Sequence, residues 1–327
     1  NVRENVGVIE VANFSKHEFK GPDARKFLDY IMAGKITNPG RISLSPMLTY
    51  KGKLYGDLTI YCMDENEFMI FGSGAAQEMH RRWFETHIDK FNVNYKNRSD
   101  DFHGLGIAGP KSRDLLQKIV REDVSNSKLK FRDSRRMFVA GVPAVVNRIS
   151  FTGELGYEIY VAPHFQIKLY EELMDAGKEF NIKPFGSRAL MSMRLEKNWG
   201  AWTLDFRPDF TAKETGLDKF IYWDKEFIGK EPAKKDMSHN KLVPLIVETN
   251  DIDVTYNEAV MKGDKSIGYV TSGGFAHFVN KSVAFSYLNT NEINSEKGIQ
   301  VEINGDLFNC AIIKEPLYDP SGQKMRS

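Results

Sequence analysis

Two stretches of the chain repeat one rhythm of polar and apolar positions. In the first, Gly21-Pro22-Asp23-Ala24-Arg25-Lys26 leads into Phe27, Leu28 and Ile31; in the second, Gly109-Pro110-Lys111-Ser112-Arg113-Asp114 leads into Leu115, Leu116 and Ile119. The apolar trios fall on one face of a 3.6-residue helix. Proline stands at the start of each helix, where its fixed φ and missing N–H do no harm. A strand-like run precedes each unit, at 18–20 and 105–108. The pattern predicts a duplicated strand–turn–helix arrangement of α+β class.

Between these units, 54–61 and 68–71 flank the polar turn Asp64-Glu65-Asn66-Glu67 and read as a β-hairpin. Residues 75–87 read as a helix. A second hairpin is expected around Ala140-Gly141, followed by helices at 164–177 and 187–197. Beyond about residue 235 the texture changes to short strands, at 242–247, 266–270, 282–287, 300–303 and 307–313, with Asn304-Gly305 as a hairpin turn. Strands without intervening helices predict a small β-barrel or sandwich. The charged stretch 230–241 is the expected boundary, giving domains 1–235 and 236–327.

A length of 327 residues exceeds one ordinary core. An apolar content of 41% is ample for burial, and a net charge of +1 with interspersed signs lacks the basic stripe of a nucleic-acid binder or the polybasic run of a membrane surface. Cys62 and Cys310 each sit in a strand-like apolar stretch and are expected to be small buried core residues, not a disulfide or a zinc site. No apolar run reaches membrane-spanning length. A reducing compartment is expected, cytoplasmic or a mitochondrial matrix. The start at Asn1, without methionine, reads as that of a fragment or processed product.

No G-x-G-x-x-G follows a strand and no P-loop motif occurs. The seven histidines show no metal-ligand spacing; His80 and His87, a heptad apart, are expected on a solvated helix face. Metal-free chemistry is expected. What remains are carboxylates near glycines. Asp57 lies within the apolar strand Leu54-Tyr55-Gly56-Asp57-Leu58-Thr59-Ile60, where an acid is costly unless it faces a cavity or partner; an exposed strand position explains it equally well. Glu158 follows Phe151-Thr152-Gly153-Glu154-Leu155-Gly156-Tyr157, whose glycines admit close approach of a ligand. Arg194-Leu195-Glu196 ends a helix and reads locally as a surface ion pair.

These segments, in this order, resemble the aminomethyltransferase (glycine-cleavage T-protein) family, closest to the folate-binding part of dimethylglycine and sarcosine dehydrogenases. The resembling segments are 52–60, the T-G-E-x-G-x-E run at 152–158, Arg194-Leu195-Glu196-Lys197, Gly216-Leu217 with 227–231, Gly268-Tyr269-Val270-Thr271-Ser272-Gly273, and Glu315-Pro316-Leu317-Tyr318. The resemblance implies a T-protein-like folate-binding domain followed by a small β-barrel. It implies tetrahydrofolate as cofactor, with Glu158 accepting the paired donors of the pterin. Asp57 would be the catalytic carboxylate near folate N5 and N10, with Thr59 on the same strand face. Tyr55, Gly72, Phe151 and Arg194 complete the cofactor-binding set.

Phe151 stands where many relatives carry tyrosine, leaving stacking on the pterin. Arg188-Ala189-Leu190-Met191 lacks the Ala-Arg-Asp run of glycine-cleavage enzymes, which favours the dehydrogenase-linked branch. In that branch a methylene or formaldehyde unit from N-methyl amine demethylation gives 5,10-methylenetetrahydrofolate, with FAD on a flavoprotein domain or subunit outside this chain. A segment opening the folate domain is expected before Asn1. Two alternatives are a methyltransferase resembling dimethylsulfoniopropionate demethylase and a non-catalytic folate-binding or scaffold module. Residues 219–223 lack the cysteine motif of the iron–sulfur-assembly branch.

Overall fold

A computed structural model describes residues 1–249, 251–293 and 298–327. The chain begins with β1 (Gly7–Glu10), β2 (Phe14–Lys20) and helix α1 (Ala24–Ile31). It continues through β3 (Arg41–Leu48), β4 (Leu54–Asp64) and β5 (Glu67–Ser73) to α2 (Gln77–Ile88). The second unit contains β6 (Asn94–Asn97), β7 (His103–Ala108) and α3 (Ser112–Ile119), then the hairpin β8 (Ser134–Val139) and β9 (Val142–Asn147). After it come β10 (Gly156–Val161), α4 (Gln166–Ala176), β11 (Lys183–Pro184) and α5 (Ser187–Glu196).

These strands form two sheets, ordered β11-β1-β7-β10-β9-β8 and β3-β4-β5-β2-β6. Only β1 and β11 pair in parallel among the described strands; the rest are antiparallel. Strand alternation gives each sheet two apolar faces. Leu105, Ile107, Tyr157 and Ile159 pack against Leu115 and Leu116 of α3 and Leu169 and Leu173 of α4. On the other sheet Leu58, Ile60 and Ile70 pack against Phe27, Leu28 and Ile31 of α1 and Phe84 of α2. The remaining faces meet through Val11, Ile42, Tyr61, Phe71 and Tyr160. The result is a helix–sheet–sheet–helix sandwich whose two inner faces enclose the candidate site.

The repeated turns share one backbone feature. Gly21 and Gly109 have φ of +146° and +133°, and a Cβ on either would lie 2.7 Å or less from a backbone oxygen, of Asn92 or Asn5. Only glycine fits there.

Beyond the short helices α6 (Ala212–Thr215) and α7 (Lys230–Lys234), six strands close a barrel. They are β12 (Asn240–Val247), β13 (Ala259–Lys262), β14 (Lys265–Ala276), β15 (Lys281–Asn289), β16 (Ile299–Ile303) and β17 (Asp306–Ile312). Asn304 and Gly305, both at positive φ, make the β16–β17 turn. The barrel strands expected from sequence are present; β13 is additional. Cys62 is buried, and Cys310 is half-buried, packed with Phe308 and Ile312 against the barrel core. Leu195 of α5 packs on Val283 and Phe285, fastening the barrel to the sandwich.

The expectation of a solvated face for His80 and His87 is corrected. Both are buried: His80 Nε2 donates to Tyr55 O at 3.0 Å, and His87 bonds Trp83 O and the Tyr50 hydroxyl. Gly56 and Gly72, without side chains, leave the room His80 occupies against the sheet.

Candidate functional site

Strand β4 turns Asp57, Thr59 and Tyr61 to one side and Leu58, Ile60 and Cys62 to the helical core. The Asp57 side faces the other sheet, because the Tyr61 hydroxyl reaches Glu158 Oε2 at 3.5 Å. Glu158 sits in the middle of β10, paired with Gly106 of β7 and Asn147 of β9. The Tyr160 hydroxyl, two residues along the same face, donates to Glu158 Oε2 at 2.9 Å. Burial holds both phenols protonated well above their ordinary range, so both act as donors.

Asp57 and Glu158 share an unusual environment. Each is deeply surrounded by protein yet only half-buried at its surface, as at the floor of a cleft. Burial pushes Asp57 up to about 7, opposed only by its own backbone N–H. Burial also pushes Glu158 up to about 7, opposed by the Tyr160 and Tyr61 hydroxyls and, at longer range, Lys16. Among the described residues neither carboxylate has an ion-pair partner. Oε1 of Glu158 has no hydrogen-bond partner there either. A desolvated carboxylate with open acceptor sites favours a ligand that brings N–H donors.

Thr59 is half-buried beside Asp57, without a hydrogen bond to it. Phe151 stacks on Trp199, with ring centroids 5.7 Å apart at 22°. The segment after α5 links three parts of the molecule. Trp199 meets Phe151, Trp202 lies 5.8 Å from the His80 ring, and Asp205 binds the barrel. Sequence reasoning passed over these tryptophans, Tyr61, Tyr160 and Lys16. The signal for the tyrosines was the two-residue period that carries Asp57 to Tyr61 and Glu158 to Tyr160.

Three other expected residues lie elsewhere. The Arg194 guanidinium is fully buried; Nη1 donates to Asp205 Oδ2 at 2.5 Å and to Trp199 O at 3.0 Å, while Nε is buried without a hydrogen-bond partner. Asp205 in turn accepts from Thr271 at 2.5 Å and Ser272 at 2.7 Å on β14. The Arg194–Asp205 pair joins α5 to the barrel. Glu196, likewise buried, accepts from Arg3 at 2.5 Å, so the Arg-Leu-Glu end of α5 is not a surface ion pair.

Tyr55 packs on Trp83 of α2, 4.7 Å between centroids, on the side of Leu58 and Ile60. A bulge in the β3–β4 register, where Leu48 pairs with Leu54 and Met47 with Gly56, turns it away from Asp57. Gly72 is explained by packing, since a Cβ there would lie 2.6 Å from Leu58.

Comparison with known proteins agrees with this architecture. The GCVT N-terminal domain matches residues 1–225, and the glycine cleavage T-protein C-terminal barrel domain matches 240–319. Human mitochondrial dimethylglycine dehydrogenase is 36% identical over 97% of this chain, which spans 37% of that relative's length. An aminomethyltransferase of Desulfitobacterium hafniense is 28% identical, with 98% of this chain and 89% of that protein covered. The glycine cleavage aminomethyltransferase T structure from Bartonella henselae superposes with a TM-score of 0.88 at 20% identity, covering 98% of this chain and 88% of that one. The T-protein sandwich, the closed barrel behind it and the two matching domains lead to one assignment: the chain belongs to the glycine cleavage T-protein (aminomethyltransferase) family.

Proposed function

We propose that the cleft between the two sheets binds a reduced folate and guides a one-carbon unit onto it. Folate-dependent transfer is the reaction class of the family. The observation that supports this site for it is the pair of half-buried, unpaired carboxylates with raised proton affinity.

Glu158 is the pterin clamp. Tyr160 and Tyr61 fix Oε2 from one side, and the carboxylate retains acceptor capacity for two adjacent N–H donors. Phe151, stacked on Trp199, offers a flat apolar surface on which a pterin can stack. The reduced folate supplies the secondary amines that take up the one-carbon unit. Asp57 is the proton acceptor and electrostatic centre. With a pKa of about 7 its carboxylate can accept a proton and return it near neutral pH. Its negative charge, in a poorly hydrated setting, stabilises positive charge developing at a nearby nitrogen or carbon. Thr59 lines the same strand face.

The one-carbon unit comes from an N-methyl amine of the dimethylglycine or sarcosine type. Similarity to the dimethylglycine dehydrogenases supports this donor, as does the absence of the Ala-Arg-Asp run before Arg194. Amine oxidation would then occur on a separate flavin-bearing domain or subunit, and the product would be methylenetetrahydrofolate.

Titration of the chain with 5-formyltetrahydrofolate, following quenching of its four tryptophans, tests the binding half. Saturable one-to-one binding that weakens in Glu158→Ala is expected. A folded chain that binds no folate, or a Kd unmoved by Glu158→Ala, would remove the clamp.

A further inference from the structure

Lys16, on β2, is fully covered by protein. Its amine donates to Ala12 O and Phe14 O, each at 2.7 Å, and to Ser99 O at 3.5 Å. Three carbonyl acceptors call for three N–H donors, which only the protonated amine has. Yet among the described residues no carboxylate forms an ion pair with it. A buried ammonium without a counter-ion is costly, so its charge needs an account.

Three carboxylates act on it at longer range: Glu10, Asp100 and Glu158. Glu10 and Asp100 are exposed and screened by water. Glu158 is not. Lys16 Nζ lies 5.8 Å from the centroid of the Tyr160 ring, whose hydroxyl donates to Glu158. Cation and carboxylate therefore both lie against the Tyr160 side chain, the cation near its ring and the carboxylate on its hydroxyl. The groups facing Glu158 are Tyr160 on its own strand, Tyr61 from β4 and Lys16 from β2; its neighbours on β7 and β9, Gly106 and Asn147, carry no charge.

We propose that Lys16 is the counter-charge that favours the ionised form of Glu158 for its ligand, acting beside the Tyr160 side chain without direct contact. This rests on Glu158 being the pterin clamp. Lys16 is a positioning residue, since it touches neither ligand nor reacting atoms. Burial pulls it down to about 8, which leaves it mainly protonated at neutral pH.

The test compares Lys16→Met, Lys16→Gln and Lys16→Arg with the unaltered chain, each first shown to be folded by its thermal transition. Carboxyl 13C NMR of the ligand-free protein, with Glu158 assigned through Glu158→Gln, reads its titration midpoint. Both neutral variants should raise that midpoint by about 0.5–1 pH unit, and Lys16→Arg should restore it. Affinity for 5-formyltetrahydrofolate should fall by about 3- to 10-fold at pH 6, below the midpoint, and change little at pH 9. A purely structural lysine would lower the thermal transition and leave the midpoint in place. An unmoved midpoint in either folded neutral variant overturns the proposal. A midpoint that moves while folate affinity ignores pH overturns the pterin role of Glu158 and leaves the charge coupling standing, so the two failures are told apart.

Discussion

Asp57 and Asp205 are both acids held away from bulk water, and their surroundings are opposite. Asp205 is wholly buried and answered: Arg194 and the Ala201 N–H meet Oδ2, while Thr271 and Ser272 meet Oδ1. Asp57 has only its own backbone N–H, and its proton affinity is raised to about 7. Glu158 resembles Asp57 in this, with two phenols and no cation in contact and its proton affinity likewise raised to about 7. A saturated charge has its energy committed to holding segments together. An unsaturated one keeps its interaction energy for something that arrives later. On that criterion Arg194 and Asp205 fasten the barrel, while Asp57 and Glu158 form the working surface.

The largest expected effect falls on turnover. Asp57→Asn should lower one-carbon transfer to the folate by about 10²- to 10⁴-fold while folate affinity stays within about threefold. Unchanged turnover would return Asp57 to the status of a strand residue. Next comes the answered acid. Asp205→Ala leaves the Arg194 guanidinium buried and unpaired, and urea unfolding should show a loss of about 3–5 kcal/mol. A loss below about 1 kcal/mol would mean that the clamp is not what joins α5 to the barrel.

A smaller effect is expected at Glu158, where removing charge-assisted hydrogen bonds should weaken folate binding by about 10- to 100-fold in Glu158→Gln. Its pH dependence has a definite sign. A carboxyl whose pKa is raised by folding binds its proton more tightly in the native state. Its contribution to stability is therefore largest at acid pH and is lost as pH rises from about 4 through about 7. The stability of Glu158→Gln relative to the unaltered chain should rise over that interval. Folate affinity in the unaltered chain should move the opposite way, weakening as pH falls through about 7, because the protonated carboxyl gives up acceptor capacity. Denaturant melts and titrations at pH 5 and pH 8 check both, and stability curves that stay parallel would contradict the raised pKa. The smallest effect belongs to Tyr61→Phe. Its contact with Glu158 is 3.5 Å against 2.9 Å for Tyr160, so it should alter folate affinity less than Tyr160→Phe.

Much of this architecture is legible in the sequence because its signals are local. The Gly-Pro helix starts at 21 and 109, the β4–β5 hairpin and the Asn304-Gly305 turn depend on neighbouring residues alone. The alternation in β4 also marks Asp57 as an acid in an apolar strand. What is not legible depends on partners distant in sequence. Arg194 looks like a ligand residue until Asp205 and β14 are placed around it. Tyr55 belongs to the Asp57 face by alternation, and one bulge moves it to the other. His80 has the polar character of a surface residue, but the glycines of two strands make room for it inside. Lys16 carries no local sign of burial, since its acceptors are backbone carbonyls of Ala12, Phe14 and Ser99.

The central claim is that the two unanswered carboxylates form a folate site. A crystal structure of the chain with bound 5-formyltetrahydrofolate tests it most directly. The account predicts the pterin between the two sheets, its ring N–H and amino group on the Glu158 carboxylate, with Asp57 beside N5 and N10. A pterin seated elsewhere, or held by Arg194 with Glu158 untouched, would contradict it.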